Sequence, residues 1–286
     1  MRRLLLLIPL CALVFTPGAD KDSEKLRALD LKPFVDDGKA LPDTAGMEKL
    51  LGRKDPIAFV DVLENCLRRY QREVKGYSCT FLKQERIGKK LHPSETIAVT
   101  FRQDPHSVLF RWKEGARLAD AALYVEGENK KNDKDGKEKS FMLAHPAGIA
   151  GRLVKFVDRD PDDVEAKQSG RYSLPDFGIE KATQRTLSTW KAAQNKGELH
   201  VEFLGETKLK EAGDRLCYKL RRTKYAEPEE EGVTELTIYI DKETWLQVGS
   251  VLKGNNDQYI AQYYFRDIKL NPEFTAETFK KEGLTK

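Results

Sequence analysis

Tyr77-Ser78-Cys79-Thr80-Phe81-Leu82-Lys83-Gln84 decides the fold, because a helical spacing of apolar residues ends just before it and a two-residue period begins within it. Tyr77, Cys79 and Phe81 fall on one face; Ser78, Thr80, Leu82 and Gln84 fall on the other. Upstream, Asp55-Pro56 offers an N-cap and a proline at the first helical position, after which Phe59, Leu63, Cys66, Leu67, Tyr70 and Val74 recur at helical spacing. That pattern predicts an amphipathic helix with one buried face. Downstream, the alternation returns in Ile97-Val99-Phe101, Val108-Phe110-Trp112, Leu199-Val201-Phe203, Leu216-Tyr218-Leu220, Leu236-Ile238-Ile240 and Tyr259-Ala261-Tyr263-Phe265. Turn signals at Gln103-Asp104-Pro105, Ala212-Gly213-Asp214 and Lys253-Gly254-Asn255-Asn256 separate these runs. Strands that follow one another at this spacing form an antiparallel meander, not alternating parallel βα units.

One element interrupts the strands. Pro175-Asp176-Phe177-Gly178 opens a stretch with Ile179, Ala182, Thr186, Leu187, Trp190 and Ala193 at helical spacing, a second amphipathic helix. A short turn follows Asn271-Pro272, with Phe274 and Phe279 as apolar anchors. The expected fold is mostly β (α+β), a large curved antiparallel sheet with two helices to cover it. Such a sheet does not leave an aromatic-lined concave face in water, so either the helices plug that face or something else binds there.

The 286 residues hold 34% charged and 40% hydrophobic residues, with 13 Phe, 10 Tyr and 3 Trp, which is too aromatic for a disordered chain. Fifty Lys plus Arg against 46 Asp plus Glu give +4, and removal of Arg2 and Arg3 with a leader gives 4 − 2 = +2. That near-balance argues against a dedicated nucleic-acid binder. Residues 1–19 read as a secretory signal peptide: Arg2 and Arg3 precede an apolar stretch over 4–15 and the turn-forming Pro17-Gly18-Ala19. The stretch is shorter than the roughly 17 to 25 residues of a membrane-spanning helix. Cys11, preceded by Ile8-Pro9-Leu10, lacks the small neighbour of a lipidated cysteine. The expected location is the periplasm or the exterior. Residues 20–54, broken by Pro33, Gly38, Pro42, Gly46 and Gly52, read as a flexible N-terminal arm, a tether or a loosely docked segment, and 55–284 as one domain.

Export places Cys66, Cys79 and Cys217 where disulfides persist. With a helix ending near Lys75 and a strand returning from Gly76, Cys66 lies about 13 Å back along the helix and Cys79 about 10 to 13 Å along the strand. A Cys66–Cys79 bridge is therefore expected if the two elements pack face to face, with separate buried thiols as the other outcome, and Cys217 is the odd thiol.

At this point a resemblance emerges. The helix leading into Tyr77 through Arg86, then Phe101-Arg102, Pro105 and Phe110-Arg111-Trp112, resembles the opening of the periplasmic lipoprotein carrier superfamily of LolA and LolB type. Tyr263-Tyr264-Phe265-Arg266-Asp267-Ile268-Lys269-Leu270-Asn271-Pro272, followed by Phe279, is similar to its closing strand and turn. Tyr77 to Arg86, Leu123-Tyr124-Val125-Glu126-Gly127 and Asp176-Phe177-Gly178-Ile179-Glu180 resemble more closely the secreted domain-of-unknown-function family numbered fifteen seventy-one. The resemblance implies a LolA-like half-barrel whose apolar hollow, lidded by helices, holds acyl chains. It implies that Phe101, Phe110 and Trp112 line or support the hollow and that the stretch from Phe177 through Leu187 to Trp190 takes the lid's place. Arg86 and Arg102 are both candidates for the carriers' lid-latching arginine. The N-terminal arm, the charged insertion at 126–139 and the Cys66–Cys79 pair depart from the carriers and leave the specific cargo open.

Enzymatic signals are absent from the sequence. His92, His106, His145 and His200 are scattered without a helical metal-binding pair, and there is no Gly-x-Ser-x-Gly elbow or phosphate-cradling loop. His106 and His145, each beside a proline, are the positions where a nearby Ser or Cys would revive a hydrolase. Asp158, Asp160, Asp162, Asp163 and Glu165 space carboxylates as a cation loop does, but Arg159, Pro161 and the missing glycine favour a solvated acidic loop; no metal or cofactor is expected. The lysine-rich 126–139 reads as a hairpin tip able to touch a membrane surface. The expected function is binding of a lipid or lipid-modified protein in the cell envelope, as carrier or sensor. The alternative is a protein-interaction module of the envelope with a self-filled core.

Overall fold

The structure, a computed structural model, describes residues 33–229 and 232–285. The period-two stretch forms a twelve-residue strand, β1 (Gly76–Ile87), whose buried and half-buried residues alternate. It pairs antiparallel with β3 (Glu95–Arg102) on one side and with the last strand, β14 (Tyr259–Leu270), on the other. From β3 one meander continues through β4 (Ser107–Glu114), β5 (Ala119–Val125), β8 (Met142–Pro146) and β9 (Val157–Arg159). From β14 the other continues through β13 (Gln247–Lys253), β12 (Glu235–Asp241), β11 (Arg215–Thr223) and β10 (His200–Leu209). With β2 (Lys90–Leu91) on the end of β1, they form one twelve-stranded antiparallel sheet that stays open between β9 and β10. The strands β6 (Lys130–Asn132) and β7 (Glu138–Ser140) make a separate ribbon at the charged insertion. The mostly β, antiparallel sheet expected from the alternation, and the open half-barrel that the resemblance implies, are the architecture found.

Helix α1 (Thr44–Gly52) is followed by α2 (Pro56–Glu73), which starts at the predicted cap: Asp55 accepts from the Ala58 amide at 2.9 Å. Two six-residue helices, α3 (Gly148–Leu153) and α4 (Val164–Ser169), precede α5 (Ile179–Asn195). Gly178 opens α5 at φ +137°, where a side chain would meet the Phe101 ring. No serine or aspartate caps this helix; the Ile179 amide donates instead to the hydroxyl of buried Tyr77, so β1 itself sets where α5 begins.

The buried residues fall into three clusters. One fills the middle of the sheet around Tyr77, Phe81, Phe101, Phe110, Phe177 and Phe265. A second packs α1, α2 and α5 against β11 and β12 through Met47, Leu63, Leu187, Trp190, Leu220 and Ile238. The third joins Phe279 and Leu284, beyond β14, to Leu109, Leu123 and Val125 of β4 and β5. Because this last segment covers β5 from behind, its last five residues, 121–125, are all buried and its sequence shows no alternation; β5 is absent from the sequence reading for that reason.

The expected Cys66–Cys79 bridge is corrected, and the arm is placed by its contacts. The part of the expected arm that lies in the described residues, 33–54, is docked: Met47 and Leu51 of α1 are buried, Arg68 grips Asp37 at 2.7 Å, and Arg72 grips Asp36 at 2.6 Å. Pro33 and Gly38 broke the apolar pattern, yet two acidic residues between them complement arginines on α2. Residues 1–32, including the expected leader, lie outside the described residues. Cys66, Cys79 and Cys217 are free buried thiols. The helix α2 spans two clusters, so Cys66 sits with Leu63 and Met47 while Cys79 sits with Tyr70 and Phe81, and no bridge joins them.

At the corner between α2 and β1, Asn271 takes φ +51° and accepts from the Lys75 and Gly76 amides at 2.7 and 3.3 Å. Its own amide group donates to the Glu73 carbonyl at 2.8 Å. Asn271→Ala should destabilise the protein by about 2 kcal/mol, since two amides lose their acceptor, and Asn271→Gly less, since the backbone conformation is kept; denaturant titration measures both. Thiol titration of unreduced, denatured protein should find Cys66, Cys79 and Cys217 all free, and a linked Cys66–Cys79 peptide in a non-reducing digest would contradict the assignment.

Candidate functional site

Continuing the inward face of β1 past Tyr77, Cys79 and Phe81 leads to Lys83 and Glu85, both buried. They border a hollow on the concave face of the sheet. Its floor is Phe81 of β1, Phe110 of β4, Tyr263 and Phe265 of β14, and Gln247, Ser250 and Leu252 of β13. Its roof is the segment 172–178, the Ala182, Arg185, Thr186 and Thr189 face of α5, and the loop carrying Tyr225, Glu229 and Val233. The space between them is about 1010 Å³ when the open mouth is counted, of which about 100 Å³ admits the centre of a water-sized sphere. The smaller figure is the enclosed room; the larger includes solvent. An apolar cavity of about 150 Å³ holds benzene, so a long acyl chain enters only if the roof yields.

Phe177 is the plug. Its ring stands edge-on to Phe110 at 4.7 Å and to Phe81 at 5.2 Å, with Phe265 at 5.9 Å. The roof segment is tied at both ends. At 178–179 it is held by the Tyr77 hydroxyl and by buried Glu180, which accepts from Gln103 at 2.6 Å and from Gln71 at 2.9 Å. At Ser169 the carbonyl accepts from Arg117 at 2.7 Å and from Lys83 at 3.3 Å.

That second tie belongs to a buried charge cluster. Lys83 lies 3.2 Å from Glu85 and 3.5 Å from Glu95; Arg117 lies 3.4 Å from Glu95. The Trp112 indole donates to Glu95 at 2.6 Å and the Tyr263 hydroxyl to Glu85 at 2.7 Å. Burial pushes the Glu85 carboxyl up, but the charge of Lys83 and the donors around it outweigh burial and hold it below its ordinary value of 4.5. Sequence reading passed over this cluster, although its signal was present: charged residues continuing the parity of an apolar strand face. Arg222 repeats the signal on β11 after Tyr218 and Leu220. Buried, it binds Glu229 through two hydrogen bonds of 2.9 and 2.8 Å and stacks 3.9 Å from Tyr225, holding the roof loop down.

Of the six apolar candidates, Phe110 and Phe177 line the hollow. Phe101 lies beneath it, stacked on Tyr77 at 4.6 Å, and Trp112 supports it through Glu95 and the Phe110 ring. Leu187 and Trp190 belong to the helix cluster instead, because α5 turns that face toward α2. Neither latch candidate touches the roof. Arg86 donates to the Tyr259 and Lys89 carbonyls, while Arg102 lies 4.6 Å over Phe279 and holds the C-terminal segment.

The remaining polar motifs neutralise one another. Lys139 of β7 reaches Asp160 at 2.6 Å and Asp162 at 2.9 Å, and Lys131 of β6 reaches Asp158 at 2.5 Å. The acidic loop thus docks the lysine-rich hairpin, with an ammonium group where the spacing suggested a metal ion. Asp163 caps α4 by accepting from the Ala166 amide. His106 packs on Phe101 and hydrogen-bonds the backbone of Leu174 in the roof, whereas His145 pairs with Asp120 at 2.5 Å outside the hollow. No group of three or more metal-ligating side chains occurs among the described residues, and no helix among them is long and apolar enough to cross a membrane.

Residues 74–283 match the family described as "Protein of unknown function (DUF1571)", and the chain belongs to that family. No curated protein matches it at significance. Among solved structures, it is similar to a DUF1329 family protein from Desulfovibrio piger (12% identity, 80% of this chain and 99% of that one, TM-score 0.39). It is also similar to the Mycobacterium tuberculosis lipoprotein LppX (8%, 77% and 99%, TM-score 0.40) and to the Pseudomonas aeruginosa MucA/MucB complex (14%, 77% and 60%, TM-score 0.39).

Removing the buried cation by Lys83→Met leaves Glu85 and Glu95 facing one another and should cost about 3 kcal/mol in denaturant unfolding. The Glu85 contribution should be fully present above pH 4.5, its ordinary value, and be lost as pH falls through its lowered pKa. Glu85→Gln should therefore flatten the acid limb of the stability profile; an unchanged limb would remove Glu85 from that role.

Proposed function

We propose that this DUF1571 protein acts after export, in the cell envelope, and holds the hydrocarbon part of a lipid or lipid-modified protein in the concave hollow, as carrier or sensor. The observation that carries the reading is the plug: the ring of Phe177 closes an otherwise ring-lined, open-mouthed hollow through contacts that an acyl chain can replace. Edge-on ring pairs contribute about 0.5–1.5 kcal/mol each beyond the area they bury. Each methylene moved from water into the hollow contributes about 0.8 kcal/mol. A chain of about ten carbons therefore offsets the displacement of one phenylalanine. The roof segment, tied at Ser169 and at Tyr77, can bow between its ties without unfolding α5. Nothing in this role calls for a catalytic group.

The small enclosed room favours a second reading, an interaction module of the envelope whose hollow is filled by its own side chains. The two diverge at Phe177. If the ring is a displaceable plug, Phe177→Ala should fold, melt lower than wild type, and regain most of that loss when palmitate is added. If the ring is core, the variant should lose about 3–5 kcal/mol and palmitate should restore nothing. Native mass spectrometry of wild-type protein, purified from the envelope without detergent, should show one acyl-bearing guest per chain under the first reading and bare protein under the second.

A further inference from the structure

We infer that the guest of this hollow carries its own hydrogen-bond donor, a hydroxyl or an amide N–H on its acyl chain, and that Gln247 selects it. The inference rests on the acyl-binding reading above and narrows the class of guest. Gln247 is 4% exposed, lines the hollow, and its Oε1 has no hydrogen-bond partner. Among the described residues, the other buried side-chain atoms without a partner are all nitrogens, and none of them belongs to a residue lining this hollow.

The position is built, not incidental. The ladder between β12 and β13 slips by one residue here, Tyr239 facing Gly249 and Ile240 facing Gln247, so that Val248 is the extra residue of a bulge. Bulges re-aim side chains. Gln247 is thereby set opposite fully buried Ile240, where an apolar side chain of similar size would pack with no polar atom to satisfy. On the facing wall, two threonines of α5 add acceptors next to the Arg185 guanidinium. Helix α5 crosses β13, and its Thr186 and Thr189 hydroxyls give their protons to the Ala182 and Thr186 carbonyls at 3.1 and 3.0 Å. Each of these hydroxyl oxygens keeps acceptor capacity, and both threonines line the same hollow as Gln247. A plain hydrocarbon chain leaves that carboxamide oxygen buried and unpaired. A chain bearing a hydroxyl or an amide N–H at that depth pairs it.

The test is displacement of a fluorescent fatty acid from full-length exported protein by chains matched in length. Palmitate and stearate serve as plain chains; 3-hydroxypalmitate and 12-hydroxystearate carry a hydroxyl, and N-palmitoylglycine carries an amide N–H. Wild type should bind at least one donor-bearing chain about tenfold more tightly than its plain counterpart, and the preferred probe separates hydroxylated from N-acylated sources. Gln247→Leu should erase that preference, so that plain and donor-bearing chains of one length bind equally, with a melting temperature equal to or above wild type. Equal affinity of wild type for plain and substituted chains, or a preference that survives in Gln247→Leu, would overturn the inference and leave the acyl-binding reading intact. No displacement by any chain would remove both. Should Gln247→Leu misfold, Gln247→Met replaces it, and the wild-type preference stands as a test in its own right.

Discussion

Everything on the concave face depends on the pairing of β1 with β14. These strands are nearly the first and last elements of the chain, and their register sets Phe81 opposite Phe265, Lys83 opposite Tyr263 and Glu85 opposite Ala261. Two meanders that each form from local contacts become one sheet through this contact, whose partners lie some 180 residues apart. It brings the Phe81 and Phe265 rings to 4.8 Å and the Tyr263 hydroxyl onto Glu85. Asn271, one residue beyond β14, then locks the corner where α2 gives way to β1, and the following segment crosses behind β4 and β5. The seam therefore supplies Phe81, Tyr263 and Phe265 to the floor of the hollow.

Around that seam, buried charge sets position. A buried ion pair is weak evidence for stability, because desolvation cancels much of its attraction. Here the Lys83, Glu85, Glu95 and Arg117 cluster satisfies its own members and, through Ser169, also fixes where the roof begins. Arg222 does the same for the opposite roof loop through Glu229. The charges hold the rim, and the rings fill the space between.

The helices divide differently from a simple lid. Helix α5 packs against α2 through Leu187 and Trp190, and its first turn is clamped by Tyr77 and Glu180, so it is a wall. Phe177 sits on the short connection before the helix, not in it. By burying Met47 and Leu51, α1 completes the helix cluster against which α5 is anchored.

The alternating runs and the Asp55-Pro56 cap were enough to determine an antiparallel, mostly β fold with two covering helices, because pleat and helix periodicities are local properties of the chain. The family resemblance, too, was legible in Tyr77 through Arg86. Elements buried on both faces were not: β5 lost its alternation to the C-terminal segment behind it, and β13, interrupted by Gly249 and a bulge, carried too few alternating positions to be read as a strand. Phe110 and Phe177 line the hollow, whereas Leu187 and Trp190, expected in the lid with Phe177, pack in the helix cluster, since the face a helix turns to each neighbour is decided by packing. The docked segment at 33–54, the three free thiols and the lysine hairpin neutralising its acidic loop likewise depend on partners far away in sequence. Local pattern specified which faces are apolar; only the tertiary structure decided which of them meet one another and which border the hollow, because that choice is made by contacts between strands and helices brought together across the whole chain.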